Sequence, residues 1–232
     1  MFRGTLPGMD LVFHTDPPQG SVITLVGGAG TLKSALAYAV ISARLNNHAD
    51  ERAIYFTLEE TKEGHLANLS SLGFKPHPRI AILDIASLRA EMRSAVDGGL
   101  KDEDYLALIL KRAQGDDTSG APYTYLVLDS LNALEAALPQ EGRAVRRALQ
   151  DFFFELRARK VTTLALIETT QIDDRPEYFL VDGIIELGVT RHQNDFKRFF
   201  AVRKMRACRH EMRPFILDIT PGGIRVMGEV ID

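Results

Sequence analysis

A glycine-rich octapeptide, Gly27-Gly28-Ala29-Gly30-Thr31-Leu32-Lys33-Ser34, follows the apolar run Val22–Val26 and precedes the helix-forming Ala35-Leu36-Ala37-Tyr38-Ala39-Val40. Strand, glycine turn, Lys-Ser and helix is an arrangement that binds phosphate. Glycines let the backbone curl so that successive N–H groups and a helix N-terminus face an anion. The spacing predicts that residues Gly27 to Ala35 wrap the phosphates of a nucleotide. Lys33 then reaches the β- and γ-phosphates, and the Ser34 hydroxyl coordinates Mg2+. One position departs from G-x-x-x-x-G-K-[ST]: glycine is replaced by Leu32. The larger side chain is expected to narrow the loop or tilt the helix start, weakening binding or slowing turnover.

Two further carboxylate sites follow apolar runs. Tyr125-Leu126-Val127-Leu128 ends in Asp129-Ser130. A carboxylate at the end of such a strand, beside the glycine loop, holds Mg2+ through its water shell. The alternative is that Asp129 caps the next helix. Ala53–Leu58 leads into Glu59-Glu60-Thr61, two adjacent acids whose charges repel. If this strand neighbours the one before the glycine loop, one glutamate could orient and deprotonate a water attacking the γ-phosphate. The alternative is a solvated helix start, where acids are favoured by the dipole.

The basic residues Arg191, Lys197, Arg198, Arg203, Lys204, Arg206, Arg209 and Arg213 crowd the tail. Lys204 and Arg206, two apart in a strand-like run, fall on one face. Three readings stay open: a nucleic-acid surface, a phosphate clamp on a neighbouring subunit's nucleotide, or an edge strand protected by its charges. The histidines lack metal-ligand spacing; His210, four residues past Arg206, is the one near other chemistry. Thr169-Thr170 reads as structural.

The elements that position these groups are legible as an alternation. Apolar runs at Val22–Val26, Ala53–Leu58, Ile80–Leu83, Tyr125–Leu128 and Val161–Ile167 are continuous, as in parallel strands buried on both faces. Stretches of helical period at Ser34–Asn46, Glu63–Leu72, Ser87–Val96, Tyr105–Arg112 and Arg143–Arg159 lie between and beside them. The prediction is a doubly wound α/β sheet. Phe196–Ala207, Phe215–Thr220 and Gly223–Val226 read as shorter strands, an antiparallel extension with a Pro221-Gly222-Gly223 turn. Loops are expected at 97–104 and 115–122. No linker divides the chain, so residues 1–232 read as one domain.

The 232 residues are 45% hydrophobic and 25% charged with net charge −3, which argues against a global attraction to nucleic acid or membrane. The single cysteine, Cys208, excludes an internal disulfide. No apolar stretch is long enough to span a bilayer, and the N-terminus lacks a signal-peptide core. A cytoplasmic protein is expected.

In order, these pieces resemble the KaiC-like branch of the RecA superfamily of ATPases. Gly4-Thr5-Leu6-Pro7-Gly8-Met9-Asp10 is similar to the family's G-[IV]-x-G-[LF]-D opening, and Gly20-Ser21-Val22 to the R-G-S-x before its first strand. Tyr55-Phe56-Thr57-Leu58-Glu59-Glu60-Thr61 resembles Y-x-[ST]-x-E-E-[ST], and Asp129-Ser130-Leu131-Asn132-Ala133-Leu134 resembles D-S-L-[TS]-x-L. Lys204-Met205-Arg206 with His210, Pro214-Phe215 and Gly223-Ile224 is similar to the ending K-[ML]-R…H…P-F…G-I.

The resemblance implies a RecA-like P-loop fold, with ATP and Mg2+ as cofactors. It makes Glu59 the catalytic base with Glu60 as its helper. Lys204 and Arg206 match residues that reach the γ-phosphate of the adjacent subunit, and His210 goes with them on the nucleotide-binding side. A homo-oligomeric ring, a hexamer with ATP at its interfaces, and an unidentified regulatory protein partner follow. The nucleic-acid reading recedes. The autokinase half of the family's two-domain clock protein has a Ser-Thr pair where this chain has Tyr178–Ile185 without Ser or Thr, so no Ser/Thr self-phosphorylation is expected there. Three functions are carried forward: a slow ring ATPase acting as a regulatory switch, a nucleotide-sensing scaffold that barely hydrolyses, and a DNA-binding recombinase paralogue of the RadA type.

Overall fold

A computed structural model describes residues 1–96, 105–115, 122–138, 142–170, 175–192 and 195–230. The apolar runs become strands and the periodic stretches become helices. In chain order the elements are α1 (Met9–Val12), β1 (Val22–Gly27), α2 (Lys33–Asn47), β2 (Ala53–Thr57), α3 (Lys62–Ser71), β3 (Ile80–Asp84), α4 (Ile85–Val96) and α5 (Tyr105–Ala113). They continue with β4 (Tyr125–Asp129), α6 (Leu131–Ala137), α7 (Arg143–Ala158), β5 (Thr162–Glu168), a 3-10 turn (Pro176–Phe179), β6 (Gly183–His192), β7 (Asp195–Met205), β8 (Phe215–Thr220) and β9 (Gly223–Glu229). Among the described residues they make one nine-stranded sheet in the order β3-β2-β4-β5-β1-β6-β7-β8-β9. Strands β3 to β6 of that order run parallel, and β6 to β9 run antiparallel.

Successive residues of a strand face opposite sides, and here both sides are cores. Ile23 and Leu25 of β1 enter one, with Tyr38 of α2, Leu69 of α3, Phe13 and Phe200. Val22 and Val26 enter the other, with Leu88 of α4, Ile109 of α5, Leu134 of α6 and Phe153 of α7. This double burial explains why the parallel strands read as unbroken apolar runs. Helix α2 is buried on most of its surface, including Leu36, Tyr38, Val40 and Ile41.

The sheet order answers a condition set by the sequence. Strand β2, which carries Glu59 and Glu60 past its end, does not neighbour β1; β4 and β5 lie between them. The antiparallel tail contains β7, of 11 residues, close to the expected Phe196–Ala207, and one strand more than expected, β6. Strand β6 is hidden in the sequence because Glu186 and Gly188 interrupt its apolar run. Glu186 pairs with Arg203 on β7. A Cβ on Gly188 would stand 2.4 Å from the Phe199 ring, so glycine leaves the space that ring fills. Arg206 lies past the end of β7, so it does not share a strand face with Lys204. The loop expected at 97–104, and residues 116–121 of the other, lie outside the described residues. No helix among the described residues is long and apolar enough to cross a membrane.

Gly27 ends β1 against β6 so closely that a Cβ would stand 2.1 Å from the Leu187 carbonyl oxygen. The obstacle is backbone in the middle of the sheet and cannot swing aside. Gly27→Ala is therefore expected to destabilise the protein by about 1–3 kcal/mol, read as a thermal midpoint several degrees lower. An unchanged midpoint would contradict this packing.

Candidate functional site

The carboxyl ends of β1, β2, β4 and β5 gather at one edge of the sheet, where Thr57 is level with Asp129 and Gly27 with Glu168. With the N-terminus of α2 and one face of α3, they enclose a cleft of about 530 Å³. Its walls include Gly30, Leu32, Lys33, Ser34, Ala35, Glu59, Glu60, Asp129 and Glu168. Residues scattered over more than 130 positions of sequence therefore meet at one place.

The glycine loop runs from β1 into α2 as its spacing predicts. Leu32 immediately precedes the helix with φ 74° and ψ 25°, the left-handed conformation. An L-residue there carries about 1–2 kcal/mol of strain that glycine does not. The chain thus keeps the turn and bears its cost in the backbone, while the Leu32 side chain packs at the border of the core around α2. The Lys33 ammonium is buried and donates to the carbonyls of Gly27 at 3.0 Å and Gly28 at 2.8 Å. It also lies 3.7 Å from Glu168 Oε2.

Asp129 closes β4, and its carboxylate does not cap α6. Ser130 takes that role, its hydroxyl accepting from Ala133 N at 3.2 Å. The Asp129 Oδ2 instead accepts from the Tyr55 hydroxyl at 2.6 Å. Burial first, and the Asp129 charge second, hold the Tyr55 phenol well above its ordinary pKa, so it remains a donor.

The two glutamates, adjacent in sequence, have different partners. Glu59 is exposed to the cleft and accepts from Ser130 Oγ through Oε1. Glu60 has both oxygens engaged by α3: His65 Nδ1 at 3.0 Å on Oε1 and Asn68 Nδ2 at 2.8 Å on Oε2. The helix start itself is capped by Thr61, whose hydroxyl accepts from Gly64 N at 3.1 Å.

Four carboxylates, those of Glu59, Glu60, Asp129 and Glu168, face a cleft whose lining holds one lysine. That excess favours a cation, and the hydroxyl of Ser34 with the carboxylate of Asp129 is a hard oxygen set suited to Mg2+. No group of three or more His, Cys, Asp or Glu able to hold a metal occurs among the described residues. A cation here would thus complete its shell with substrate phosphate oxygens and water, the usual way Mg2+ binds.

Lys204, Arg206 and His210 do not join this cleft. Lys204 is level with Ile184, and Gly183 with Ile23 near the start of β1, whereas the cleft lies beyond the end of β1. Lys204 Nζ donates to the carbonyls of Tyr178 at 2.9 Å and Val181 at 2.7 Å. Burial, with Arg206 nearby, lowers its pKa. Arg206 is more than half exposed and lies 3.5 Å from Asp182 Oδ1. Asp182 is also bound by Arg157 Nε at 2.9 Å and Val22 N at 3.0 Å. His210 bridges to Phe13, and its Nδ1 lies 3.2 Å from the Glu211 carbonyl.

Sequence reading missed Glu168, Tyr55, His65 and Asn68. Glu168 had a usable cue, an acid ending a buried strand, which is the cue that found Asp129. The others depend on which strands and helices become neighbours.

A parallel sheet with a glycine loop at its central strand, acidic strand ends beside it and an antiparallel extension defines a RecA-like α/β nucleotide-binding protein. A family model described as "ATPase: KaiC" matches residues 3–230, and the chain belongs to that family. A UPF0273 protein of Thermotoga maritima is 28% identical over 229 residues, covering 94% of this chain and 92% of the relative. UPF0273 protein MJ1359 of Methanocaldococcus jannaschii is 28% identical over 237 residues, covering 95% and 93%. The crystal structure of the KaiC-like protein PH0186 from Pyrococcus horikoshii superposes with a TM-score of 0.78 at 28% identity, over 97% of both chains.

Strain at position 32 makes a test of the loop. Leu32→Gly removes left-handed strain but also side-chain packing, so its thermal midpoint should change little. Leu32→Val places a β-branched residue in a conformation it scarcely tolerates, and its midpoint should fall. Equal midpoints for Leu32→Gly and Leu32→Val would contradict the left-handed geometry.

Proposed function

We propose that this protein binds ATP with Mg2+ in the cleft and hydrolyses it slowly, as a ring-forming ATPase whose nucleotide state sets its binding to a regulatory partner. The observation that carries this reading is the convergence of Lys33, Ser34, Asp129 and Glu59 on one cleft. In this reading the backbone amides from Gly28 to Ala35 cradle the phosphates, with residues of the loop shaping the turn. Lys33 leaves its two carbonyl partners for the β- and γ-phosphate oxygens. Ser34 and Asp129 would hold Mg2+, which supplies charge neutralisation on the phosphate oxygens.

Glu59 is the base. Its carboxylate takes a proton from the water whose oxygen attacks the γ-phosphorus, while the bond to the β–γ bridging oxygen breaks and ADP leaves. Glu60 is held by His65 and Asn68, which supports a role in fixing α3 and the Glu59 backbone, the helper role.

Lys204 and Arg206 lie toward the opposite sheet edge from their own cleft, which supports their acting on a neighbour's ATP. The Tyr178 and Val181 carbonyls and the Asp182 carboxylate hold them there. His210, four residues past Arg206, is assigned to the same shared site. A closed hexamer would supply each cleft with one such set.

The scaffold alternative draws on Leu32. A strained, non-glycine turn before Lys33 favours binding with little turnover.

Phosphate release and ATP binding should be measured on the same samples of wild type, Glu59→Gln and Glu60→Gln. Glu59→Gln is expected to lose on the order of 10²–10⁴-fold in turnover with ATP binding retained, and Glu60→Gln less than about tenfold. Turnover surviving in Glu59→Gln would remove its assignment as base. A wild type that binds ATP without releasing phosphate would favour the scaffold.

A further inference from the structure

We propose that Tyr55 is a positioning residue for the divalent cation, fixing the orientation of the Asp129 carboxylate, with His65 as its brace. The inference rests on the metal role assigned above to Asp129.

Tyr55 lies in the middle of β2 and is wholly buried. Its hydroxyl donates to Asp129 Oδ2 at 2.6 Å. One buried hydroxyl thus ties the middle of β2 to the carboxylate at the end of β4, its neighbour in the sheet. Donation to Oδ2 fixes the rotation of the carboxylate about its Cβ–Cγ bond and directs Oδ1 elsewhere. Outer hydrogen bonds of this kind orient metal ligands and set their affinity. Packing alone does not require the hydroxyl, because a phenylalanine ring would fill the same space.

His65 supports the same conclusion from the other side. Its ring lies against Tyr55 with centroids 4.4 Å apart and planes at 39°. It lines the cleft and is 1% exposed. Nδ1 is bound to Glu60 Oε1 at 3.0 Å, while Nε2 is buried without a hydrogen-bond partner among the described residues. A buried ring nitrogen with no partner is unfavourable for packing. The imidazole nevertheless ties the Tyr55 ring to Glu60, and through it to the backbone of Glu59. The Asp129 carboxylate and the glutamate segment are thereby mounted on one frame.

The test uses Tyr55→Phe in the full chain, which removes a single oxygen. Binding of a non-hydrolysable fluorescent ATP analogue is titrated against Mg2+, and repeated in EDTA. Tyr55→Phe is expected to raise the Mg2+ concentration for half-maximal effect by about tenfold or more, with analogue affinity in EDTA unchanged within about twofold. His65→Ala, which keeps the phenol but removes its brace, should shift the Mg2+ midpoint in the same direction by less. An unchanged Mg2+ midpoint in Tyr55→Phe beside a Mg2+-dependent wild type would overturn this inference alone. So would an equal loss of affinity in EDTA, which marks general damage to the cleft. A wild type whose binding ignores Mg2+ would overturn the cation reading itself, and the role of Tyr55 with it.

Discussion

The turn from Gly27 to Lys33 constrains everything around it. It begins where β1 is sealed between β5 and β6, with the Leu187 carbonyl pressed against Gly27. It ends where α2 starts, at a Leu32 backbone in left-handed conformation. Neither end can shift without disturbing a core: β1 is buried on both faces, and α2 is buried on most of its own surface. The amides of the turn and the first turn of α2 are therefore held facing one space, and the Lys33 ammonium is seated inside the loop on its carbonyls. The geometry of the loop is a consequence of sheet packing as much as of glycine content.

The strand order then decides which carboxylates reach that space. Strands β4 and β5 intervene between β1 and β2, so Asp129 and Glu168 stand between the glycine loop and the glutamate pair. Like charges this close would repel strongly if left alone. Each acid instead has a separate hydrogen-bond or charge partner: Tyr55 for Asp129, Lys33 for Glu168, Ser130 for Glu59, and His65 with Asn68 for Glu60. The distribution gives neighbouring glutamates unlike environments, one open to the cleft and one tied to a helix.

Local signals carried much of this into the sequence. The glycine loop, the acid after Tyr125–Leu128 and the Glu59-Glu60 pair are each complete within a few residues, and the structure brings all of them to one cleft. What was illegible depends on pairing. The bond from Tyr55 to Asp129 exists because β2 lies beside β4, and no spacing of a lone tyrosine in an apolar run announces it. The neighbour of β2 is illegible for the same reason. Strand β6 escaped because Glu186 and Gly188 are explained only by Arg203 and Phe199 on the partner strand. The alternative of Asp129 as a helix cap is removed by a neighbour, since Ser130 takes the cap.

The chain belongs to the KaiC ATPase family, and its cleft is lined by the glycine loop, α3 and the ends of β2, β4 and β5. Lys204 and Arg206 project from the far edge, held by the segment from Tyr178 to Asp182. The central claim is that such an edge completes the cleft of the next subunit. The most direct measurement is particle mass in solution with and without Mg-ATP, with phosphate release taken from the same sample. The account predicts assembly to about six subunits on adding Mg-ATP, with slow phosphate release that is lost when Lys204 and Arg206 are both replaced by alanine. A protein that remains monomeric with Mg-ATP while releasing phosphate at an undiminished rate in that double variant would contradict it.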